Sequence, residues 1–596
     1  MDIMKPIPSA DMPQGNEWVY EIKYDGFRCQ VVWEKENSIQ LVSRNNKDLT
    51  ASFPEVKQQL LSASDSVKDM LPLKLDGELV ILNTPYQANF ARLQQRGRLK
   101  NSAGIQAAAA ERPAALRLFD MVEKEGKDLK KTPLQERKEL LQEVLQKLGM
   151  EGVEPDPDPD RIWKKLTEHK GEGVVAKRID SLYRDGKNHR DWFKIKNWRT
   201  IQGFLSSYHP ENGYYTVGVF DQEKIKIIGK CKHGLDADTA ATLREIFTSR
   251  GEKQKDAFLL PPAICARIHT LDLYQDELRE PEFAELLPSV PPEHCTIEQL
   301  ELDMAMLPES VELTNTNKIF WPEKSFTKGD LLTYIRALAP YMLPFLENRA
   351  LTVIRCPDGV DSEYFFQKHL PSYAPGFITG IPAGDEQLMV CDNLDALVWF
   401  ANHGAVEYHI PFQQIKKDTP VEIVFDLDPP DRGKFHLAVK AALLIKPLLD
   451  DLGLISFVKT SGNKGLQIHI PIPEESITYQ ETAVFTQAIA WTVENAHPDL
   501  FTTERMKNKR NGRLYIDYVQ HGRDKTLIAP YSPRMTQDGT VAAPLFWEEV
   551  NEDLDPGSFT LKNTIKRVQH HGCPFRDYQK AGKKQKLEQL MKLIQS

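Results

Sequence analysis

The sequence predicts a multidomain chain of mixed α/β and all-β regions. Three observations carry that expectation. The length of 596 residues exceeds what one hydrophobic core organises, so three or four domains are expected. Near residue 200 the pattern changes from short β-like runs separated by helices to closely spaced strands with a single helix. It changes again after a stretch rich in proline that ends near residue 310, where a second mixed α/β region begins. With 41% hydrophobic and 27% charged residues the composition is that of ordinary globular protein. A net charge of -9 excludes a uniformly basic nucleic-acid binder, so any such binding rests on local patches.

In residues 1–199, Val31-Val32-Trp33, Ile39–Val42, Leu79–Leu82, Leu116–Phe119 and Val174–Ala176 are rich enough in β-branched and large apolar residues to be strands. Helices are expected at 54–62 and 134–148, the second opened by Thr132-Pro133. In residues 200–285, runs at 202–204, 214–220 and 224–229 are joined by short turns. A helix at 236–247 and a β-like run at 264–273 follow. This count fits a small barrel with one helix, an OB-fold. Residues 286–310, with Pro288, Pro291, Pro292 and Pro308, read as a linker with one helical turn. Residues 311–596 form the second α/β region and close with a lysine-rich helix at 580–594.

Three basic patches stand out: Arg92 to Lys100, Arg184 to Arg199 with Trp192, Phe193 and Trp198 interleaved, and Arg505 to Arg513. The seven cysteines are scattered without a C-x-x-C, which argues against a zinc knuckle or a disulfide framework. No uninterrupted apolar run is long enough to span a bilayer. The expectation is a soluble cytoplasmic protein without membrane contact.

The first chemical constellation centres on Lys23. In the β-like run from Trp18, Glu21 and Lys23 share one face, and Asp25-Gly26 then turns the chain. Desolvation and nearby cations would lower the lysine pKa and expose its lone pair. Asp76-Gly77-Glu78 reads as a turn leading into a strand. Glu172 and Lys177 differ in strand parity and face one site only if Glu172 sits ahead of its strand. Together these stretches supply what nucleotide transfer to an amine requires. Phe119 can stack on a base. Glu172 and Glu78 can hold a divalent metal and the ribose. Lys194 and Lys196 can neutralise an α-phosphate, and Arg28 and Arg44 can grip a phosphate.

The ordered set Lys23-x-Asp25-Gly26-x-Arg28, Ser43-Arg44, Asp76-Gly77-Glu78, Phe119-Asp120, Glu172 to Lys177 and Lys194-Ile195-Lys196 resembles ATP-dependent DNA ligases. The resemblance implies an adenylation domain followed by the OB domain. It implies an ATP site including Glu21, and a lysyl-AMP on Lys23. The AMP would pass to a 5′-phosphate at a nick, where a 3′-hydroxyl displaces it. Two stretches depart from the family: Gly229 to Gly234, and Leu278-Arg279-Glu280-Pro281, which lacks the usual terminal Asp-Lys pair.

The second constellation begins at Asp426 and Asp428, two residues apart on a strand face inside an apolar run, with Asp517 on another strand. Three carboxylates suit hard divalent cations and in-line displacement at phosphorus. The turn from Ser461 to Gly465 offers backbone amides and Lys464 to phosphates, and His409 is a candidate triphosphate contact. Asp426-Leu427-Asp428-Pro429, the Ser461 turn with His469, and Ile516-Asp517-Tyr518 resemble the polymerase domain of bacterial DNA ligase D, in the archaeo-eukaryotic primase superfamily. The resemblance implies an α+β polymerase domain with His469 at the nucleotide. It implies Lys318 and Lys328 at a recessed DNA 5′-phosphate, and Phe365-Phe366-Gln367-Lys368 against the template. Asn463 replaces a usual glycine and Gln467 a usual histidine. The family's phosphoesterase domain has no counterpart here.

The implied whole is a repair enzyme for double-strand breaks by non-homologous end joining. It would fill gaps from nucleoside triphosphates and seal nicks with ATP and Mg²⁺ or Mn²⁺. Its expected site is the nucleoid, with Ku as partner. Two rivals are a ligase whose second half only bridges DNA ends, and an RNA ligase or capping-type nucleotidyltransferase.

Overall fold

Strands Trp18–Lys23 and Phe27–Lys35 flank Asp25-Gly26, yet they enter different sheets. The first joins a four-stranded sheet in the order Ile7–Pro8, Trp192–Lys196, Gly173–Arg178, Trp18–Lys23. The second joins a five-stranded sheet in the order Ser38–Ser43, Phe27–Lys35, Leu73–Val80, Ala115–Lys124, Lys127–Asp128. The crossing point is tight, because a Cβ on Gly26 would collide with the Leu79 carbonyl. The computed structural model describes residues 3–595 and falls into two units, one running to Met306 and including Gln569–His571, the other beginning at Leu307 and holding the rest.

Helix Leu134–Leu148 covers the five-stranded sheet. It buries Leu134, Leu141, Val144, Leu145 and Leu148, a stripe at helical spacing. It stops at Gly149, whose φ of 59° is left-handed. Asp76-Gly77-Glu78 lies inside strand Leu73–Val80 rather than ahead of one, and the pairing to Ala115–Lys124 shifts register between Asp76 and Gly77.

The next sheet runs Lys224–Cys231, Tyr214–Asp221, Arg199–His209, Ala257–Thr270, Glu252–Gln254, with Glu282–Leu286 also on Ala257–Thr270. No ladder among the described residues closes it into a full barrel; a single parallel bridge, His233 to Glu282, spans the gap. Residues 286–310 are more than a linker with one turn. They hold helix Ile297–Ala305, capped by Thr296, with Leu300 buried in the core of this sheet. Asp303 accepts the backbone N–H of Gln202 at 2.9 Å, which ties the helix down.

The second unit has two six-stranded sheets. One runs Thr379–Ala383, Glu386–Val390, Ala350–Arg355, Ala405–Pro411, Thr526–Ile528, with Phe365–Gln367 added on Ala350–Arg355. The other runs Phe501–Thr502, Leu514–Asp517, Glu422–Asp428, Leu466–Pro471, Phe457–Thr460, Pro544–Leu545. Helices Lys328–Leu346, Leu394–Asn402, His436–Asp451 and Tyr479–Ala496 bury their apolar faces in one core with these sheets. The expected helix at 580–594 is two, Tyr578–Lys584 and Glu588–Gln595. The break falls at Gln585, whose amide hydrogen-bonds the Ile455 backbone and the Pro471 carbonyl. Among the described residues no helix is long and apolar enough to cross a membrane.

Candidate active sites

Register explains how Glu172 reaches Lys23. Gly173 stands opposite Lys23 on one side and Lys196 on the other. Glu172 therefore precedes its strand, and the parity conflict with Lys177 disappears. Both line a cavity of about 530 Å³ with Lys23, Glu78, Phe119 and Lys194. Lys23 Nζ is ion-paired to Glu172 Oε1. Burial pulls the Lys23 ammonium down, but Glu172, then Asp25 and Glu78, outweigh it and leave the pKa raised. The expectation of a depressed lysine fails, because three carboxylates surround the amine.

Glu21 also lines the cavity, with its carboxylate 2.6 Å from Lys177 and 2.5 Å from Lys138. Burial pushes Lys177 down to about 8 despite that pairing, and Glu78, buried, is pushed up to about 8. Arg28 does not present its fork to a phosphate. Its Nε and Nη2 donate to the Asp76 carboxylate at 2.7 and 2.6 Å, and its guanidinium lies 4.4 Å over the Phe119 ring. Arg44, exposed at the mouth, has no ion-pair partner among the described residues.

The lysine pair divides. Lys194 faces the cavity, its pKa lowered by burial and then by Lys23 and Lys196. Lys196 is held instead by Glu280 at 3.0 Å and Glu282 at 3.1 Å, from the segment that follows strand Ala257–Thr270. The same segment sends Arg279 to clasp both oxygens of Asp25, and Arg279 and Glu280 line the cavity. Arg279 marks the departure noted in the sequence; it ends the hairpin of Asp272–Tyr274 and Glu277–Arg279, turned at Gln275 and Asp276, both of positive φ, and the hairpin brings it to Asp25.

In the second unit a cavity of about 220 Å³ is lined by His409, Asp426, Asp428, Ser461, Lys464 and Gln467. Asp426 stands opposite Gln467 on one neighbouring strand and Asp517 on the other. The carboxylates do not converge on one point. Asp428 pairs with Lys464 at 3.0 Å and Arg510 at 3.5 Å, and Asp517 accepts from Tyr515 Oη and the Gln520 backbone. Ser461 Oγ accepts the Gly465 N–H at 3.0 Å, closing the turn. A Cβ on Gly465 would strike the Leu427 carbonyl, so glycine lets the turn lie against the aspartate strand.

His409 hydrogen-bonds Glu407 at 3.0 Å, and Glu407 also meets Arg534 at 3.3 Å. Arg534 lines the cavity but sits in a loop with no periodic signal, so the sequence offered nothing to find it by. His469 is displaced from the site. It is buried against Glu422 at 2.9 Å and lines a separate small cavity with Phe345 and Ile410. The reason is distance along its strand: Gln467 meets Asp426, whereas His469 is opposite Val424. Lys318 bonds the Pro357 carbonyl at 2.8 Å and pairs with Asp358. Lys328 is buried on Thr314, pushed down to about 8 by burial and by Lys318. Phe365 and Phe366 are 43% and 69% exposed, with the Arg355 guanidinium 5.0 Å over the Phe365 ring.

Residues 3–196 match the family model described as ATP dependent DNA ligase domain, and residues 327–575 match LigD, primase-polymerase domain. The chain is 40% identical over 589 residues to the bifunctional non-homologous end joining protein LigD of Bacillus subtilis (strain 168), covering 96% of each. It is 26% identical to the multifunctional non-homologous end joining protein LigD of Pseudomonas aeruginosa, across 98% of this chain and 73% of that one. Among solved structures it resembles the polymerase domain from Mycobacterium tuberculosis Ligase D in complex with DNA, at TM-score 0.42 and 29% identity, covering 46% of this chain and 99% of that chain. Matched almost end to end by a bifunctional relative, and carrying the ligase signature before the polymerase signature, the chain belongs to the LigD family.

Proposed function

We propose that this protein joins an ATP-dependent DNA ligase to a primase-type polymerase and acts in non-homologous end joining of double-strand breaks. The observation that carries the reading is the presence of two separate sites: an amine beside a carboxylate in the first unit and an aspartate cluster in the second. In the ligase site Lys23 Nζ attacks the α-phosphorus of ATP and pyrophosphate leaves. Attack needs the neutral amine, so the Glu172 contact has to loosen as substrate binds. Glu172 Oε2 is buried without a hydrogen-bond partner, an unsatisfied hard oxygen that fits a divalent cation. Mg²⁺ or Mn²⁺ there would supply positive charge beside the triphosphate. Lys194 and Arg44, which line the cavity without an ion-pair partner among the described residues, can meet phosphate oxygens. Glu21, held by two lysines, can accept from the exocyclic amine of adenine.

Arg279 reaches the cavity from the second domain, which supports a role in adenylating Lys23. Arg279→Ala is expected to slow formation of lysyl-AMP by about 10²-fold. Sealing of a nick already carrying 5′-AMP should change less than about threefold. Equal loss in both assays would make Arg279 only a structural clasp.

In the polymerase site Asp426, Asp428 and Asp517 would hold the divalent cation, hard oxygen donors on two paired strands, once Asp428 leaves Lys464 and Arg510 and the three carboxylates draw together. The cation would offset charge at the reacting phosphate. Ser461, Lys464, His409 and Arg534 bind the incoming triphosphate, and Lys318 with Lys328 binds the DNA 5′-phosphate. Burial first, then Asp428 and Asp517, push Asp426 up to about 7 against the hydrogen bond from Gln467. A proton therefore competes with the cation below that value and not above it. The Mn²⁺ concentration for half-maximal gap filling is expected to be level above pH 7.5 and to rise about tenfold per unit below pH 7. A flat profile from pH 6 to 8 would remove Asp426 from the cation site.

Ku is the partner proposed to deliver DNA ends, at the nucleoid. One experiment tests the whole: the protein with labelled ATP, nucleoside triphosphates and 5′-phosphorylated gapped DNA. Label should pass from protein to DNA, and the gap should close into a continuous strand. Tight end binding without incorporation would favour end bridging by the second unit.

A further inference from the structure

Phe457–Thr460, Leu466–Pro471, Glu422–Asp428 and Leu514–Asp517 lie side by side, and their register aligns Lys459, Gln467, Asp426 and Asp517 in one row across the sheet. Lys459 and Gln467 are buried, at 0% and 3% exposure. Lys459 Nζ donates to Gln467 Oε1, and Gln467 Nε2 donates to Asp426 Oδ1 at 3.1 Å. Lys459 has no carboxylate within ion-pair distance among the described residues. A buried ammonium without a counter-ion is costly, and burial lowers the Lys459 pKa accordingly.

With the amine charged and the carboxylate ionised, the chemistry of the three groups permits one arrangement. An ammonium only donates, an ionised carboxylate only accepts, and an amide has one end of each kind. With Lys459 holding the amide oxygen, Gln467 must turn its NH₂ toward Asp426. Without Lys459 nothing prevents the amide from rotating its oxygen toward the carboxylate, which repels it.

We propose that Lys459 is a positioning residue for polymerisation, acting through Gln467 to orient Asp426 for the divalent cation. The inference rests on the polymerase reading above. Outer groups that orient a metal-binding side chain typically account for about 10- to 100-fold in metal affinity.

The test is Mn²⁺ binding to the full chain by titration calorimetry, independent of turnover. The isotherm lost in Asp426→Ala identifies the polymerase site. Lys459→Met is expected to weaken that isotherm about tenfold. Lys459→Gln keeps a donor toward Gln467 without the charge, and should stay within about threefold of wild type. The Lys459→Met, Gln467→Leu double variant should bind no more weakly than Gln467→Leu alone. Unchanged affinity in Lys459→Met, equal losses in the Met and Gln variants, or additive losses in the double variant would each overturn the relay. Retained binding of 5′-phosphorylated DNA checks that the second unit is folded; if the Met variant fails this check, the Gln variant decides alone. A wild-type chain that fills gaps while Lys459→Met binds Mn²⁺ normally refutes the relay and leaves the polymerase reading standing. A wild-type chain lacking the Asp426-dependent isotherm sinks the metal site and the relay together.

Discussion

Lys23→Ala is expected to abolish both AMP labelling of the protein and nick sealing, by at least about 10⁴-fold, and to leave nucleotide addition at the wild-type rate. No neighbouring group can replace the lost amine in a covalent step, so the effect is nearly complete. Of the other amines lining the cavity, Lys177 and Lys194 are fixed on neighbouring strands, and Lys5 and Lys187 lie off them. Lys177 is also committed to Glu21. The variant should remain folded, because it leaves Glu172, the Lys23 partner, free to protonate: burial already raises its pKa. The measurement is transfer of label from α-labelled ATP to protein, with gap filling followed on the same preparation. Labelling that persists would place the nucleophile elsewhere and overturn the ligase mechanism. Loss of gap filling as well would show that the two units do not act separably.

The mirror result is expected for Asp426→Ala: nucleotide addition falls by about 10³-fold or more, and sealing of a preformed nick is unchanged. Asp426 occupies the middle of the aspartate cluster, opposite Asp517 and two residues from Asp428. Its removal takes a ligand from any cation the cluster holds. Asp426→Asn separates this from folding. Burial and the charges of Asp428 and Asp517 raise the folded pKa to about 7, above the unfolded value. Above pH 7 the carboxylate is thus ionised against its surroundings, and it weakens the metal-free fold there. The neutral amide should therefore raise the thermal midpoint at pH 8 in the absence of metal while leaving the enzyme unable to add nucleotides. A lower midpoint would show that the carboxylate is structural.

Much of this architecture was legible because its signals are local. Helix Leu134–Leu148 announces itself by apolar spacing and the glycine beyond it. The common face of Asp426 and Asp428 follows from strand parity. The helix at 297–305 was obscured by the prolines just ahead of it, which end the preceding extended stretch rather than the helix. The break at Gln585 was hidden because its cause, the Ile455 and Pro471 backbones, lies more than a hundred residues away.

Within the sites the division is the same. The order and type of residues along the chain determined by themselves that an amine, carboxylates, an aromatic ring and cations were present in the pattern of nucleotidyl transfer, followed by an aspartate cluster. Only the tertiary structure decided which of them pair. It gave Arg28 to Asp76, Lys196 to Glu280 and Glu282, His469 to Glu422, and Gln467 to both Lys459 and Asp426. Sequence spacing sets which face of one strand a side chain occupies. The partner it meets depends on the register between strands far apart in the chain, as for Lys23 and Glu172, 149 residues apart.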